Sequence, residues 1–422
     1  MTDAQTSLGE APVLPAATPP GRNIAMLVFV IVSLLVSMSI SQEQTPEIGS
    51  FSYWLLVISA GLLPLADAKA ILETLLGRAR LLLLLGVTAG TWHLIRGDVR
   101  AVLQLGLIVW VLAWVSTDQA RLYSKDLLLL YLALVFIGSC MWILTDLNGW
   151  GVIPETTVEE YGVWRVSFFP SIANTAMLSL AIVMVLTRSL ATARAHPIVL
   201  AIALYFLLFS FVRTALIALL LYLALRLWFG QHGNSSRRMF WISLMMAISV
   251  NLAIASSVVI VDYLQQFPLL SRLLLRGETA LSPEEIFQQL YRPWLWWQHL
   301  TLFASSPWLM GLGVFEFFEL QTDAINVGST PAGSEALPTR LLATFGLPAI
   351  LFILYLIGRL RESARERDGW SCACFPPVVL LLMQWGTIFH PTDAHGVIFF
   401  LMVVRGSTAF TEDAEDAPAA PS

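Results

Sequence analysis

Long apolar stretches recur along this chain, and polar residues are largely confined to the intervals between them. A helix needs about 20 apolar residues to cross a bilayer, and most stretches approach that length. Apolar and polar residues do not alternate within them, which favours helices over the strands of a membrane barrel. The pattern predicts an all-α polytopic membrane protein with about 12 transmembrane helices. The predicted spans lie at about 23–40, 51–66, 79–95, 101–116, 126–144, 171–187, 197–211, 211–229, 238–261, 341–358, 374–390 and 394–405.

One polar interval, from residue 262 to 340, is much longer than the others. It combines helix-forming pieces, such as 292–303, with a region rich in Gly, Pro, Ser and Thr at 328–338. We expect a long, partly helical loop between helices 9 and 10 that carries active-site residues. The predicted division is a disordered tail at 1–22, helices 1–9 at 23–261, the loop at 262–340, helices 10–12 at 341–407 and a disordered tail at 408–422.

Composition agrees with a membrane protein, since 57% of the 422 residues are hydrophobic and 13% are charged, whereas soluble domains carry about 25% charged residues. Lys and Arg collect in alternate intervals, for example Arg237 and Arg238 between helices 8 and 9. Because such residues are enriched in cytoplasmic loops, both termini are predicted to be cytoplasmic and the long loop to lie outside. The sequence contains no zinc spacing and no phosphate-binding glycine loop, so neither metal nor cofactor is predicted, and nothing indicates nucleic-acid binding.

Several arginines are exceptions to this enrichment, because they lie on the predicted outer side of the membrane. Arg213 stands between two apolar runs, where an unpaired charge costs a few kcal/mol, so by default it marks a functional site. Arg165 precedes helix 6, and Arg292 belongs to the loop. The planar fork of arginine binds phosphate oxygens at two points, so these residues suit a lipid diphosphate. Snorkelling to headgroups, interfacial anchoring, and pairing of Arg213 with an acid such as Asp262 remain alternatives.

Glu335 stands in the turn region directly before helix 10. A carboxylate near arginines at the membrane surface could take a proton from a sugar hydroxyl as a general base. A solvated loop acid, or a negative charge at the beginning of a helix that Ser334 caps, are the alternative interpretations.

Secondary candidates for the lining of an outer cavity are His390, His395 and Trp296. The two histidines belong to a short corner that could also be ordinary turn polarity or a metal site. Trp296 lies in a tryptophan cluster that suits the membrane interface, although aromatic faces also stack on sugars. His299 is expected to be structural, and headgroup contact is the preferred interpretation for Arg96 and Arg100 in their tight turn.

Four segments, in this order, resemble motifs of the O-antigen ligase and O-antigen polymerase superfamily, which assembles bacterial envelope glycans. RVSFFPSIAN at 165–174 is similar to an arginine followed by an aromatic and Pro/Asn stretch, and SFVRTAL at 210–216 to a Ser-x-x-Arg-Thr segment. Arg292, Trp296 and the turn PWLMGLG at 307–313 resemble an Arg…Trp…Pro-x-x-Gly-x-Gly pattern. The fourth segment, SEALPTRLLATFG at 334–346, is similar to a helix start that ends in glycine.

Many members of this superfamily have a histidine where the present chain has Glu335. In the ligases that histidine is taken to be the base, whereas some polymerases use glutamate, so the resemblance favours a polymerase. It implies a metal-independent glycosyltransferase of the bacterial inner membrane that polymerises oligosaccharide repeat units carried on undecaprenyl diphosphate at the periplasmic face, as an O-antigen or exopolysaccharide polymerase. Arg165, Arg213 and Arg292 would hold the diphosphate, and Glu335 would act as base. A flippase and a chain-length regulator are the protein partners that the resemblance suggests.

Two alternatives stay open. A ligase would transfer the finished glycan to lipid A core or another acceptor, and the glutamate at position 335 argues against it. A lipid-glycan flippase would also fit about 12 spans, but it should have an internal pseudo-repeat and charges near the midplane, and the sequence displays neither.

Overall fold

The structure of the protein is a computed structural model, and almost all of its described elements are helices. One two-stranded antiparallel sheet, with Glu159 opposite Trp164, is the exception among the residues that it describes. The described residues are 27–28, 30–32, 68–148, 159–160, 163–164, 166–168, 172–231, 235–257, 291–313, 337–384 and 394–410.

Fourteen α-helices can be numbered in chain order over these residues. Those before the long loop, with the strand pair, are α1 (Ala68–Leu76), α2 (Arg80–Ile95), α3 (Val99–Val115), α4 (Ser124–Asn148), β1 (Glu159–Glu160), β2 (Val163–Trp164), α5 (Ile172–Leu186), α6 (Leu190–Ala195), α7 (Pro197–Phe209), α8 (Arg213–Gln231) and α9 (Ser236–Ser256). The others are α10 (Tyr291–Ser305), α11 (Leu337–Phe345), α12 (Ile350–Arg365), α13 (Gly369–Gln384) and α14 (Ala394–Val404), with 3-10 turns at Pro307–Leu309, Leu347–Ala349 and Gly406–Ala409.

Helices α5 and α13 form the centre of the bundle. Every residue of α5 from Thr175 to Leu186 is buried, and this helix packs against α4, α7, α8 and α14. A helix that is apolar on all sides is stable only when other elements or lipid surround it. Helix α13 packs against α8, α9, α12 and α14, so the two central helices join the parts of the chain before and after the long loop.

Two of the described helices, Arg213–Gly230 within α8 and Ser236–Ser256, are long and apolar enough to cross a membrane. Only 33% and 17% of their apolar windows are buried within the protein. The exposed apolar residues Trp241, Met245, Ile248 and Leu252 recur at helical spacing on α9. An exposed apolar face of this kind is what a lipid-facing helix has, and it is the opposite of the core helix of a soluble protein.

The predicted spans from 79 to 261 coincide with helices α2 to α5 and α7 to α9, within a few residues where they are described, and the predicted loop helix at 292–303 lies within α10. The second span, at 51–66, lies outside the described residues. The prediction of one continuous helix at 341–358 is wrong, because α11 ends at Phe345 and α12 begins at Ile350. Gly346 takes a left-handed conformation with φ 72, and Pro348 lacks an amide donor, so the helix breaks there.

Helix α13 defines two ends of the bundle. Close to its beginning, Gly369 packs against Phe229 at the end of α8. At its other end, the carbonyl of Met383 accepts a 2.7 Å hydrogen bond from the indole of Trp296. Because α8 and α13 pack side by side, Arg213 at the start of α8 lies toward the same end as Trp296. We call the end with Arg213 and Trp296 the loop end, and the end with Phe229 and Gly369 the basic end.

At the basic end, ion pairs and hydrogen bonds hold the C-terminal part of the described chain. Asp118 accepts hydrogen bonds from Arg78 at 2.8 Å and from Arg405 at 2.6 Å. Partial burial alone would raise the pKa of Asp118, but the two guanidinium groups outweigh it and hold the pKa below its ordinary value. The amide of Leu122 donates to the carbonyl of Ala409 at 2.8 Å. Within the predicted C-terminal tail, Ala409 and Phe410 are buried and contact the rest of the bundle, Phe410 through the ring of Trp370.

Candidate functional site

Arg213 is the first residue of α8, and the chain reverses direction immediately before it. The hydroxyl of Ser210 donates to the carbonyl of Leu207 at 2.8 Å at the end of α7. Phe211 then adopts a left-handed backbone with φ 53, which costs a side-chain-bearing residue about 1–2 kcal/mol. This strained turn fixes where α8 begins and therefore where Arg213 stands.

The electrostatics at this position favour an anion. The amide groups of a first helical turn lack intrahelical acceptors, and they give the helix N-terminus a partial positive charge. A cation there opposes the helix dipole, so Arg213 does not stabilise α8 through its charge. Its guanidinium and the amide dipoles instead add up, which is the arrangement that binds phosphate at helix N-termini.

The segment that follows Arg165 packs beside this turn. The amide of Val166 donates to the carbonyl of Phe209 at 2.9 Å, four residues before Arg213. The hydroxyls of Ser167 and of Thr175 on α5 share a hydrogen bond of 2.6 Å. The first two motifs of the sequence, at 165–174 and 210–216, are thus neighbours in space although about 40 residues separate them in the chain.

Phe168 anchors the same segment in the bundle. Its ring packs edge-on against Tyr131 of α4 and Phe206 of α7, with centroids 5.6 and 4.8 Å apart. Gly138 of α4 lies directly against the Phe168 carbonyl, and a Cβ at that glycine would collide with it. The position of the 166–168 segment therefore depends on a glycine in a helix that the sequence motifs do not include.

The third and fourth motifs also pack against each other. The amides of Leu312 and Gly313 donate to the carbonyls of Ala343 and Thr344, at 2.9 and 3.0 Å. Gly311 and Gly346 have φ of 83 and 72, and a Cβ at either would collide with the backbone of the other motif. The two backbones approach so closely that only glycine fits at Gly311 in the turn and at Gly346 after α11.

On the other face of α11, helix α10 brings a buried polar cluster. His299 Nδ1 and the Thr339 hydroxyl share a 3.0 Å hydrogen bond. Burial, with a smaller contribution from nearby Arg340, lowers the pKa of His299 to about 3, so the imidazole is neutral at physiological pH. Burial also lowers the pKa of Arg340 to about 10, which leaves its guanidinium charged. The burial of Arg340 leaves no signal in the hydropathy of the sequence.

The predicted site residues fall into three groups. Arg213 is half-buried at the loop end, and Trp296 is buried against Met383. Arg292 and His395 have helical backbones in α10 and α14, while their side chains lie outside the described part of the structure. The remaining candidates, Arg165, Glu335 and His390, lie outside the described residues.

Arg96 makes a contact with the Gly311–Gly313 turn that the sequence did not predict. One of its guanidinium nitrogens donates to the carbonyls of Gly311 and Leu312, at 3.3 and 3.4 Å. The turn between α2 and α3 therefore meets the third motif, where contact with headgroups had been expected. The sequence gives no sign of this contact, because 215 positions separate Arg96 from Gly311.

Comparisons with protein-family models, with curated proteins and with solved structures found no match to this chain.

Proposed function

We propose that this protein is a membrane glycosyltransferase that polymerises oligosaccharide repeat units carried on undecaprenyl diphosphate at the periplasmic face of the bacterial inner membrane. In this proposal the chain crosses the membrane about 12 times with both termini in the cytoplasm. The loop end is then periplasmic and the basic end cytoplasmic. The product is an O-antigen or an exopolysaccharide.

The observation that carries the proposal is the spatial pairing of the four sequence motifs. Val166, next to Arg165 in the chain, hydrogen-bonds the carbonyl of Phe209 close to Arg213. The Gly311–Gly313 turn hydrogen-bonds α11, which begins two residues after Glu335. Segments that form one active site must lie close together, and the motifs do so in two pairs.

The proposed chemistry is a single displacement at the anomeric carbon of the lipid-linked glycan, which inverts its configuration. Glu335 takes the proton of the acceptor hydroxyl, whose oxygen forms the new bond to that carbon. The bond to the diphosphate breaks, and undecaprenyl diphosphate leaves with the electron pair. Arg165, Arg213 and Arg292 stabilise the charge that develops on the leaving diphosphate, where fixed positive groups contribute most to the rate.

The test compares lipid-linked and surface glycans on gels from a deletion strain. The strain is complemented with wild type, with Glu335→Gln, or with Glu366→Gln, which removes an exposed carboxylate at the basic end. We expect single repeat units to accumulate in the deletion and Glu335→Gln strains, and a polymer ladder to return with wild type and Glu366→Gln.

Each other outcome has a distinct meaning for the function or for the base. A ladder that forms but stays on undecaprenyl diphosphate in the deletion strain identifies a ligase. Repeat units retained on the inner leaflet identify a lipid-glycan flippase. Flippases are also α-helical membrane proteins. Normal polymer with Glu335→Gln reassigns the base without changing the reaction class.

A further inference from the structure

Two peptide groups of the Gly311–Gly313 turn connect Arg96 to helix α11. The carbonyl of Gly311 accepts from Arg96 at 3.3 Å, and the amide on the same peptide, that of Leu312, donates to Ala343. The next peptide repeats the arrangement, because the carbonyl of Leu312 accepts from Arg96 at 3.4 Å and the amide of Gly313 donates to Thr344. Both paths end at carbonyls in the last turn of α11.

This arrangement is favourable for electrostatic reasons. The last carbonyls of a helix have no intrahelical donors and carry the negative end of the helix dipole. Hydrogen bonds in series polarise one another, so a cation at the far end of each path strengthens the bond to the helix carbonyl. Arg96 thus acts on the end of α11 through two peptide groups rather than by direct contact.

The rest of the turn between α2 and α3 supports the same contact. Asp98 accepts a hydrogen bond from Ala101 at 3.0 Å and caps α3, and its carboxylate occupies the space that a Cβ at Gly313 would need. His93 is fully buried and packs edge-on against Phe345, the last residue of α11, at 5.7 Å. The turn holds α11 and the glycine turn from one side, as α10 holds α11 from the other.

We infer that Arg96 is a positioning residue of the proposed active site, which fixes the Gly311–Gly313 turn and the end of α11, and with them the third and fourth motifs, to the bundle. The inference rests on the proposed function. Arg96 acts on the end of α11 through the two peptide groups of the turn, so its role is positioning and not chemistry.

The experiment compares wild type with Arg96→Gln, Arg96→Lys and the matched control Arg100→Gln, which removes an exposed arginine from the same turn region. The purified full chain is reconstituted with lipid-linked repeat units extracted from the deletion strain. We expect Arg96→Gln to lower kcat about 10- to 100-fold with KM for the lipid-linked donor unchanged, because a small misplacement of a catalytic group has that effect. Arg96→Lys should recover part of the loss, and Arg100→Gln should behave as wild type.

Hydrogen exchange provides a readout that does not depend on the reaction. The amides of Leu312 and Gly313 should exchange faster in Arg96→Gln than in Arg100→Gln, with the thermal midpoint of the protein unchanged. Unchanged kcat in Arg96→Gln, or a raised KM with normal kcat, would overturn the positioning role while wild type still polymerises. If wild type itself makes no polymer, the proposed function fails, and unchanged exchange at Leu312 and Gly313 would independently reject the contact with α11.

Discussion

At the residue scale, Arg213 combines three features that suit an anion-binding arginine. It follows a strained turn, it begins a helix whose dipole opposes its charge, and it adjoins apolar stretches where a charge is costly. We predict that Arg213→Ala abolishes polymer formation while the protein still inserts into the membrane. Glycan gels measure the first effect, and the amount of protein in washed membranes measures the second.

The control for this substitution is Arg237→Ala, which removes an exposed arginine at the start of α9 near the basic end. That variant should make polymer at the wild-type level, because it removes a charge without touching the loop end. Near-normal polymer from Arg213→Ala would contradict the role of this residue in binding the diphosphate.

His299 predicts a pH dependence of stability. Burial holds the pKa of the folded imidazole at about 3, below the 6.5 of a free histidine. The unfolded chain therefore takes up a proton between those values that the folded protein does not, and stability is lost as pH falls below about 6.5, by up to about 1.4 kcal/mol per pH unit. His299→Asn, which can still bond Thr339, should lose less stability between pH 7.5 and 5 than wild type in thermal unfolding of the purified protein. Parallel losses in the two proteins would show that His299 does not carry the effect.

At the element scale, the contact between α4 and the 166–168 segment decides where the first motif lies. Gly138→Ala places a methyl group where it collides with the Phe168 carbonyl. Because this carbonyl belongs to the backbone, the collision is relieved only if the whole 166–168 segment moves. We predict a loss of thermal stability of about 1–3 kcal/mol, as in other overpacked sites, together with reduced polymer yield. Differential scanning fluorimetry and glycan gels measure the two effects.

Gly106→Ala is the matched control, because Gly106 also lies within an apolar helix but has open space where the methyl group would go. Alanine is about 1 kcal/mol better than glycine in a helix, so this variant should be at least as stable as wild type. If the two variants behaved alike, helix propensity rather than the contact with Phe168 would govern both.

The sequence predicted helices more successfully than it predicted their contacts. The bounds of α8 and α9 were predicted to within a few residues, because a long continuous apolar run favours a helix over the same residues. The prediction failed at Gly346, where the run continues through a left-handed glycine and a proline. Long-range contacts such as Val166 with Phe209 left no local trace. The pairing of the motifs could be expected only from the predicted membership of one superfamily, and the contact of Arg96 with the glycine turn could not be expected from the sequence.

At the scale of the whole molecule, the two ends of the bundle have different chemistry. Arg213, Trp296 and the glycine turn at 311–313 all lie toward the loop end. The basic end is held by Arg78, Asp118 and Arg405. Lys and Arg are enriched on the cytoplasmic side of membrane proteins. We therefore predict that the basic end faces the cytoplasm and the loop end the periplasm.

Cysteine labelling tests that orientation directly. Ser305→Cys lies exposed at the end of α10, and Arg237→Cys lies exposed at the start of α9. Each is introduced after Cys140, Cys372 and Cys374 are replaced by alanine, so that a membrane-impermeant maleimide can react at only one position. In spheroplasts with an intact inner membrane, Ser305→Cys should be labelled at once and Arg237→Cys only after permeabilisation. The reverse pattern would place the proposed active site on the cytoplasmic side of the membrane and would reject the proposed periplasmic polymerisation together with the predicted orientation.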